Sequence, residues 1–156
     1  MTVIKQRLSE LGIELPKPNP AAGHYRPYLS HAGLVSISGQ TCKRNGELVY
    51  RGKVGRDLDR QTAQSAARLC ALNLISQLHE VCGGDWDRLV QCLKLTVFIN
   101  CTEDFEELPW VANGASDLLV EIFAERGLHS RSAIGVASLP GGSAIEIDAL
   151  CQVTES

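Results

Sequence analysis

The sequence lacks the features that mark membrane, secreted and nucleic-acid-binding proteins. No stretch approaches the roughly 18 consecutive apolar residues of a membrane-spanning helix. Residues 1–15 are interrupted by charged side chains, so they contain no apolar core of a secretory signal. The 15 basic residues are outnumbered by 18 acidic ones, whereas a phosphate-binding surface is basic. We therefore expect a cytoplasmic protein that binds neither a membrane nor nucleic acid.

The cysteines and histidines do not form the spacings of a metal site. Six cysteines and four histidines are present, but no two cysteines stand in a C-x-x-C pair and the histidines are scattered. An even number of cysteines could form disulfides, yet the sequence does not resemble that of a small secreted scaffold. Cys70, Cys92 and Cys151 lie within apolar patterns, as buried thiols do. We expect six free thiols and no metal or other cofactor.

The composition is that of one globular domain with a short extension. The chain has 156 residues, of which 44% are hydrophobic and 21% charged. Residues 3–11 have helical apolar spacing that ends at Gly12. Three prolines at positions 16, 18 and 20 then indicate an extended linker. We expect residues 1–20 to be a helix and proline-rich linker appended to a domain of residues 21–156.

The pattern of the remaining residues predicts an α+β fold. Two amphipathic helices are expected at about residues 59–82 and 105–126. Strands are expected near residue 25 and at residues 34–39, 93–99, 132–138 and 144–153, with a hairpin around Asn45-Gly46. These elements predict a six-stranded mixed sheet with two helices on one face. The other face needs a cover, and the simplest one is another copy of the chain.

Arg131 and Glu146 are the two charged residues whose placement most favours chemistry. Arg131 opens one predicted strand, and Glu146 lies on the next, which we take as its hairpin partner. An arginine at a strand end can hold a carboxylate through two parallel hydrogen bonds, and a nearby glutamate can orient a water or act as a base. An exposed ion pair across a hairpin has the same spacing, so the residues alone leave both interpretations open.

A set of short motifs resembles the RidA/YjgF family of reactive-intermediate deaminases. One motif is Arg131-Ser132, followed by an apolar strand, Leu139-Pro140 and then Glu146-Ile147-Asp148. The other matches are Ser38-Gly39-Gln40, the strand at residues 96–99 and Asp104-Phe105. Each piece is weak by itself, but the combination is specific, and the resemblance covers about residues 22–153.

The resemblance implies a fold, an assembly and an activity. The fold would be chorismate mutase-like, and the chain would form a homotrimer with a site in each cleft between subunits. The activity would be hydrolysis of small 2-imino acids and their enamine tautomers to 2-keto acids and ammonia, without a cofactor. Arg131 would bind the substrate carboxylate, Glu146 would hold the attacking water, and Tyr25 would be the cleft tyrosine, with Tyr28 as the alternative. The further substrate-binding residues that it implies are Ser38, Gly39, Asn113 and Ala133.

The sequence departs from the family pattern near Arg131. Ala133 stands where the family often has cysteine, His129 where it often has proline, and Gly135 where an acidic residue is more common. A backbone N–H at residue 133 could still contact the ligand. His129 could serve as an acid or base or lie in a solvated loop, and Ser116 could touch ligand or face a helix groove. His24 and His31 could line the cleft near Tyr25.

Three other functions remain open at this stage. The same cleft could bind a 2-keto acid or similar carboxylate without turnover. An endoribonuclease activity, which is attributed to some members of the family, is disfavoured by the acidic pI of about 5.8 and by the absence of a basic surface with interleaved aromatic residues. A partner-binding role has no specific feature in the sequence.

Overall fold

The computed structural model describes residues 2–155, which form three α-helices, a five-stranded sheet and a separate two-stranded sheet. The helices are α1 (Val3–Glu10), α2 (Arg60–Val81) and α3 (Leu108–Phe123). The strands are β1 (Tyr28–His31), β2 (Leu34–Thr41), β3 (Lys43–Arg44), β4 (Glu47–Leu48), β5 (Leu89–Asn100), β6 (Ser130–Val136) and β7 (Ile145–Val153). The fold is α+β, as the element pattern predicts.

The main sheet has five strands rather than the six that we predicted. Its order is β1-β2-β7-β5-β6, with β5 and β6 parallel and the other pairs antiparallel, so the sheet is mixed. Strands β3 and β4 pair only with each other, around Asn45 and Gly46, whose positive φ angles close a tight turn. Each of these strands is two residues long and too short to extend the main sheet.

A second correction concerns the last two strands, which we predicted to form a hairpin. Strand β5 lies between β6 and β7. Helix α3 connects β5 to β6, and such a crossover allows the two strands to run parallel as neighbours. Strand β7 then pairs with the other edge of β5. The turn around Pro140 therefore joins two strands that do not contact each other.

The sheet buries one face under helices and leaves the other uncovered within the single chain. Alternate residues of β5, such as Leu95, Val97 and Ile99, are buried on the face where α2 packs against β2 and β7 and α3 packs against β6. The residues between them point to the opposite face. Leu34, Ile134 and Leu150 are exposed apolar side chains on that opposite face. The uncovered face thus carries these apolar side chains among polar ones such as Lys94 and Asp148.

Helix α1 packs against the same helical layer. Ile4 and Leu8 are buried, and the Arg7 guanidinium donates to the Ile122 carbonyl of α3 at 3.2 Å. Thr2 caps the helix by accepting from the Lys5 N–H. The extended segment that follows is tied to α2, because the buried Gln77 amide donates to the Asn19 carbonyl at 2.7 Å. These contacts fix the path of the chain toward the sheet.

The core accounts for most of the cysteines. All six are free, and five of them are buried.

Within residues 2–155, none of the helices has an apolar run long enough to cross a bilayer.

Candidate functional site

A cleft of about 190 Å³ lies beside the ends of β2 and β7. We call it the Glu146 cleft. It brings together four residues that the sequence analysis places at the site, namely Tyr25, Ser38, Gly39 and Glu146. Its remaining walls come from the extended N-terminal segment, the end of β2, the β3–β4 hairpin and the turn before β7. Those lining residues are Asn19, Pro20, Ala21, Ala22, Pro27, Gln40, Thr41, Lys43, Leu48, Pro140 and Gly141.

Gly39 is glycine because the backbone passes directly over the Glu146 carboxylate. The pairing of β2 with β7 shifts register between Ile37 and Gln40, which is a β-bulge. A Cβ atom on residue 39 would lie 2.2 Å from Glu146 Oε1. The absence of a side chain therefore lets the carboxylate reach the floor of the cleft.

Short hydrogen bonds hold the loop that carries Tyr25 against β2. The Ser38 hydroxyl donates to the Arg26 carbonyl at 2.7 Å, and the Ser38 N–H donates to the Pro27 carbonyl at 2.9 Å. The Tyr25 hydroxyl accepts from the Ala22 N–H at 3.2 Å. Because it accepts there, the hydroxyl proton of Tyr25 remains available to a ligand.

The Glu146 carboxylate is half-buried and has no hydrogen-bond or ion-pair partner among residues 2–155. Burial raises the pKa of Glu146 above its ordinary value, and the negative charge of Asp148 raises it further. A carboxylate with free oxygen atoms and a raised pKa is a stronger base than an exposed one. Glu146 can therefore orient a water molecule and accept a proton from it.

Arg131 lies in a different place from the cleft, on the helix-covered side of β6. Its NH1 group donates to Asn113 Oδ1 at 2.8 Å and to Ser116 Oγ at 3.2 Å, both on α3. Ser116 Oγ is also 2.9 Å from His129 Nε2. We call these four residues the Arg131 network. Ala133 lies two residues further along β6, on the same side of the strand.

The structure corrects the expected pairing of Arg131 with Glu146. The two residues belong to strands separated by β5, which places them about two strand spacings, or ~10 Å, apart across the sheet. Arg131 pairs with Leu95 and Glu146 with Phe98. Leu95 and Phe98 are three residues apart on a regular part of β5, so they point to opposite faces. The two charged groups of one chain therefore cannot act on the same small molecule.

Sequence reasoning missed part of the cleft wall. The segment from Asn19 to Ala22 and the hairpin residues Lys43 and Leu48 line the cleft but were not predicted there. The proline spacing indicated an extended segment, without indicating what it would contact. His24 and His31 are not among the lining residues. No group of three or more potential metal ligands occurs within residues 2–155.

Comparisons with known proteins identify the family. A family model described as YjgF/chorismate mutase-like, putative endoribonuclease, matches residues 5–153. The chain belongs to the YjgF/RidA family. The resemblance that the motifs indicate is therefore confirmed, and so is the chorismate mutase-like fold. The match includes part of helix α1, whereas the motifs cover only residues 22–153.

Several relatives of this YjgF/RidA chain align along nearly their whole length. Protein TCP17 of Trypanosoma cruzi is 40% identical over 151 residues, which are 96% of this chain and 94% of TCP17. The crystal structure of Atu1372 of Agrobacterium tumefaciens, a protein with unknown function, is 38% identical with a TM-score of 0.91. The alignment covers 97% of this chain and 93% of the Atu1372 chain. A putative endoribonuclease of Shewanella oneidensis is 34% identical with a TM-score of 0.93, over 97% of this chain and 100% of its own.

Proposed function

We propose that this protein is a cofactor-independent hydrolase that converts small 2-imino acids to 2-keto acids and ammonia. The observation that carries the proposal is the unpaired, half-buried carboxylate of Glu146 in a cleft bordered by Gly39 and Tyr25. Partial burial without a cation disfavours the charged form of Glu146, and carboxylates with such raised pKa values are concentrated at functional sites. The raised basicity of the Glu146 carboxylate suits it to accept a proton from water.

The proposed reaction has two steps. Glu146 accepts a proton from water while the water oxygen bonds to the carbon of the protonated imine, whose C=N π electrons move to nitrogen. Glu146 then passes the proton to the nitrogen, the C–N bond breaks to release ammonia, and the ammonia takes the hydroxyl proton as the C=O bond forms. One imino acid and one water thus give one 2-keto acid and one ammonium ion. Arg131 holds the substrate carboxylate throughout, because its guanidinium matches that group bidentately.

The proposal requires two copies of the chain at each site, since Arg131 and Glu146 of one chain face opposite sides of the sheet. We propose a homotrimer in which the uncovered sheet face packs against neighbouring copies and each site combines Arg131 of one copy with the Glu146 cleft of the next. The exposed Leu34, Ile134 and Leu150 would be buried there. Light scattering that finds a stable monomer at micromolar concentration would contradict this assembly.

The activity is tested by generating imines in situ with an amino-acid oxidase and following 2-keto acid and ammonia release. We expect the wild-type protein to accelerate release, and Arg131→Ala and Glu146→Gln to abolish the acceleration. The matched controls are Arg68→Ala and Glu121→Gln, which alter an exposed ion pair of α2 and α3 and should leave the rate unchanged. A wild-type protein that does not accelerate release contradicts the proposal.

Mixing two inactive variants tests where the site is assembled. Arg131→Ala and Glu146→Gln proteins are unfolded together in equal amounts and refolded. Random cyclic trimers should restore about one quarter of the wild-type sites, because a site is intact only where each copy supplies the residue that the other lacks. No recovered activity would contradict a site that combines Arg131 of one copy with the Glu146 cleft of another.

The non-catalytic alternative uses the same Arg131 network. In that case calorimetry would show pyruvate binding that depends on Arg131, while the imine assay would show no acceleration. The family is also described as putative endoribonuclease. The wild-type protein is therefore also incubated with single-stranded RNA to test for cleavage. With a net charge of -3, we expect no cleavage.

A further inference from the structure

The hydrogen bonds of His129 determine which of its ring nitrogens carries the proton. Its Nδ1 lies 2.6 Å from the Gly127 carbonyl oxygen, which can only accept. Nδ1 is therefore the protonated nitrogen of the neutral ring, and Nε2 is an acceptor. The carbonyl itself is held in place, because a Cβ on Gly127 would lie 2.2 Å from the Leu119 carbonyl oxygen and the two segments are in close contact.

The His129 ring in turn determines the direction of the Ser116 hydroxyl. With Nε2 as an acceptor at 2.9 Å, the hydroxyl of Ser116 donates to it. A serine inside a helix can donate to the carbonyl four residues earlier. Ser65 and Ser76 do so in this chain, at 3.2 and 3.0 Å. Ser116, which is also within a helix, instead donates to a side chain on another element.

With its proton directed at His129, Ser116 can offer only lone pairs to Arg131. The NH1 group of Arg131 donates to Ser116 Oγ at 3.2 Å and to Asn113 Oδ1 at 2.8 Å. These two acceptors use both N–H bonds of NH1 and fix the plane of the guanidinium. Its Nε–H and NH2 groups have no partner among residues 2–155. The Nε–H bond and one N–H bond of NH2 point in the same direction, so they can donate to the two oxygen atoms of one carboxylate.

We propose that Ser116 and His129 are positioning residues for the substrate-carboxylate grip of Arg131. Neither touches the reacting atoms. His129 directs the Ser116 hydroxyl away from Arg131, Ser116 then accepts from NH1, and the free edge of the guanidinium is held in one orientation. The inference rests on the proposed function and assigns these two residues a part in substrate affinity.

The test compares removal of each group with its conservative replacement. Ser116→Ala removes the acceptor, and Ser116→Thr keeps it. His129→Leu removes the group that directs the hydroxyl, whereas His129→Gln can place an amide oxygen near the position of Nε2. Ser65→Ala, on an exposed part of α2 outside both sites, is the matched control. Thermal unfolding followed by circular dichroism checks that each variant is folded.

We expect Ser116→Ala and His129→Leu to raise the calorimetric Kd for pyruvate, and KM in the imine assay, by about tenfold while changing kcat less than about threefold. Ser116→Thr and His129→Gln should recover most of the loss. The double variant Ser116→Ala/His129→Leu should be no weaker than either single variant, because both act through one hydrogen-bonded chain. Ser65→Ala should match the wild type.

Two outcomes would overturn the inference, and they are distinguishable. If Arg131→Ala loses pyruvate binding while Ser116→Ala and His129→Leu keep the wild-type Kd and KM, the network does not position Arg131, and the proposed function stands. If the wild-type protein neither binds pyruvate nor accelerates imine hydrolysis, the proposed function fails and the positioning role fails with it.

Discussion

Substitution of Gly39 by alanine should displace the Glu146 carboxylate without unfolding the protein. The new Cβ would lie 2.2 Å from Glu146 Oε1 and 2.9 Å from its Cδ. An ordinary contact between such atoms is about 3.5 Å, so the carboxylate must move by about 1 Å. The displaced atoms are the end of a flexible side chain, and the φ angle of Gly39 is not in the left-handed region. We therefore expect the free energy of unfolding to change by less than about 1 kcal/mol.

The catalytic effect of this displacement should be much larger than the effect on stability. A misplacement of about 1 Å can lower a rate by roughly a hundredfold when the moved group orients a reactant. We expect kcat for imine hydrolysis to fall by about that factor, with a smaller change in the Kd for pyruvate, since Arg131 is not moved. Gly23→Ala is the matched control, because its Cβ would meet only the Tyr25 ring, at 3.6 Å. A Gly39→Ala protein with wild-type kcat would show that the position of Glu146 does not matter for turnover.

Three further predictions concern affinity, pH and packing. Arg131→Lys should weaken pyruvate binding about 30-fold or more in calorimetry, because lysine cannot form the bidentate grip, and equal affinity would refute the grip. The pKa of Glu146 is higher in the folded than in the unfolded protein. Its charge therefore lowers the free energy of unfolding fully above the folded-state pKa and not at all below the unfolded-state pKa. Glu146→Gln should therefore be more stable than wild type to urea at neutral pH and equal to it at acidic pH; lower stability at neutral pH would contradict this. Gly114→Ala should cost about 1–3 kcal/mol in urea unfolding, because its Cβ would lie 2.2 Å from the backbone carbonyl oxygen of Gln64; an unchanged midpoint would mean that the helices can separate freely.

The helices and strands could be predicted because each has a local signal in the sequence. The pairing of the strands could not be predicted in this way. Helices α2 and α3 follow from apolar periodicity and capping residues such as Asp59, and β5 follows from its β-branched and apolar composition. The hairpin between β6 and β7 was a reasonable expectation, since consecutive strands usually pair. Which edge of β5 each strand takes depends on where α3 packs, and that is a property of the whole layer.

The motifs indicated residues that the structure brings into one cleft, but they did not indicate that Arg131 and Glu146 lie on opposite faces of the sheet. Ser38, Gly39, Tyr25 and Glu146 meet in one cleft as the resemblance implies. Arg131 lies on the opposite face of the sheet from Glu146 because of the strand register. A shift of one residue would move every side chain of a strand to the other face. Such a register has no signature in the spacing of charged residues. The Ser116–His129 hydrogen bond likewise joins a helix to a strand end across thirteen residues.

The partners of the charged groups explain how the two halves of the proposed site can retain their reactivity. Arg56, Arg60 and Arg68 each pair with a carboxylate, whereas Arg131 is held by the neutral oxygen atoms of Asn113 and Ser116. Its positive charge is therefore not neutralised before a substrate carboxylate arrives. If Arg131 met Glu146 directly, the cation would lower the pKa of the carboxylate and weaken it as a base. Separation on opposite faces prevents that pairing within a chain. Between chains, the substrate carboxylate would neutralise the guanidinium, so that Glu146 keeps the basicity that water activation needs.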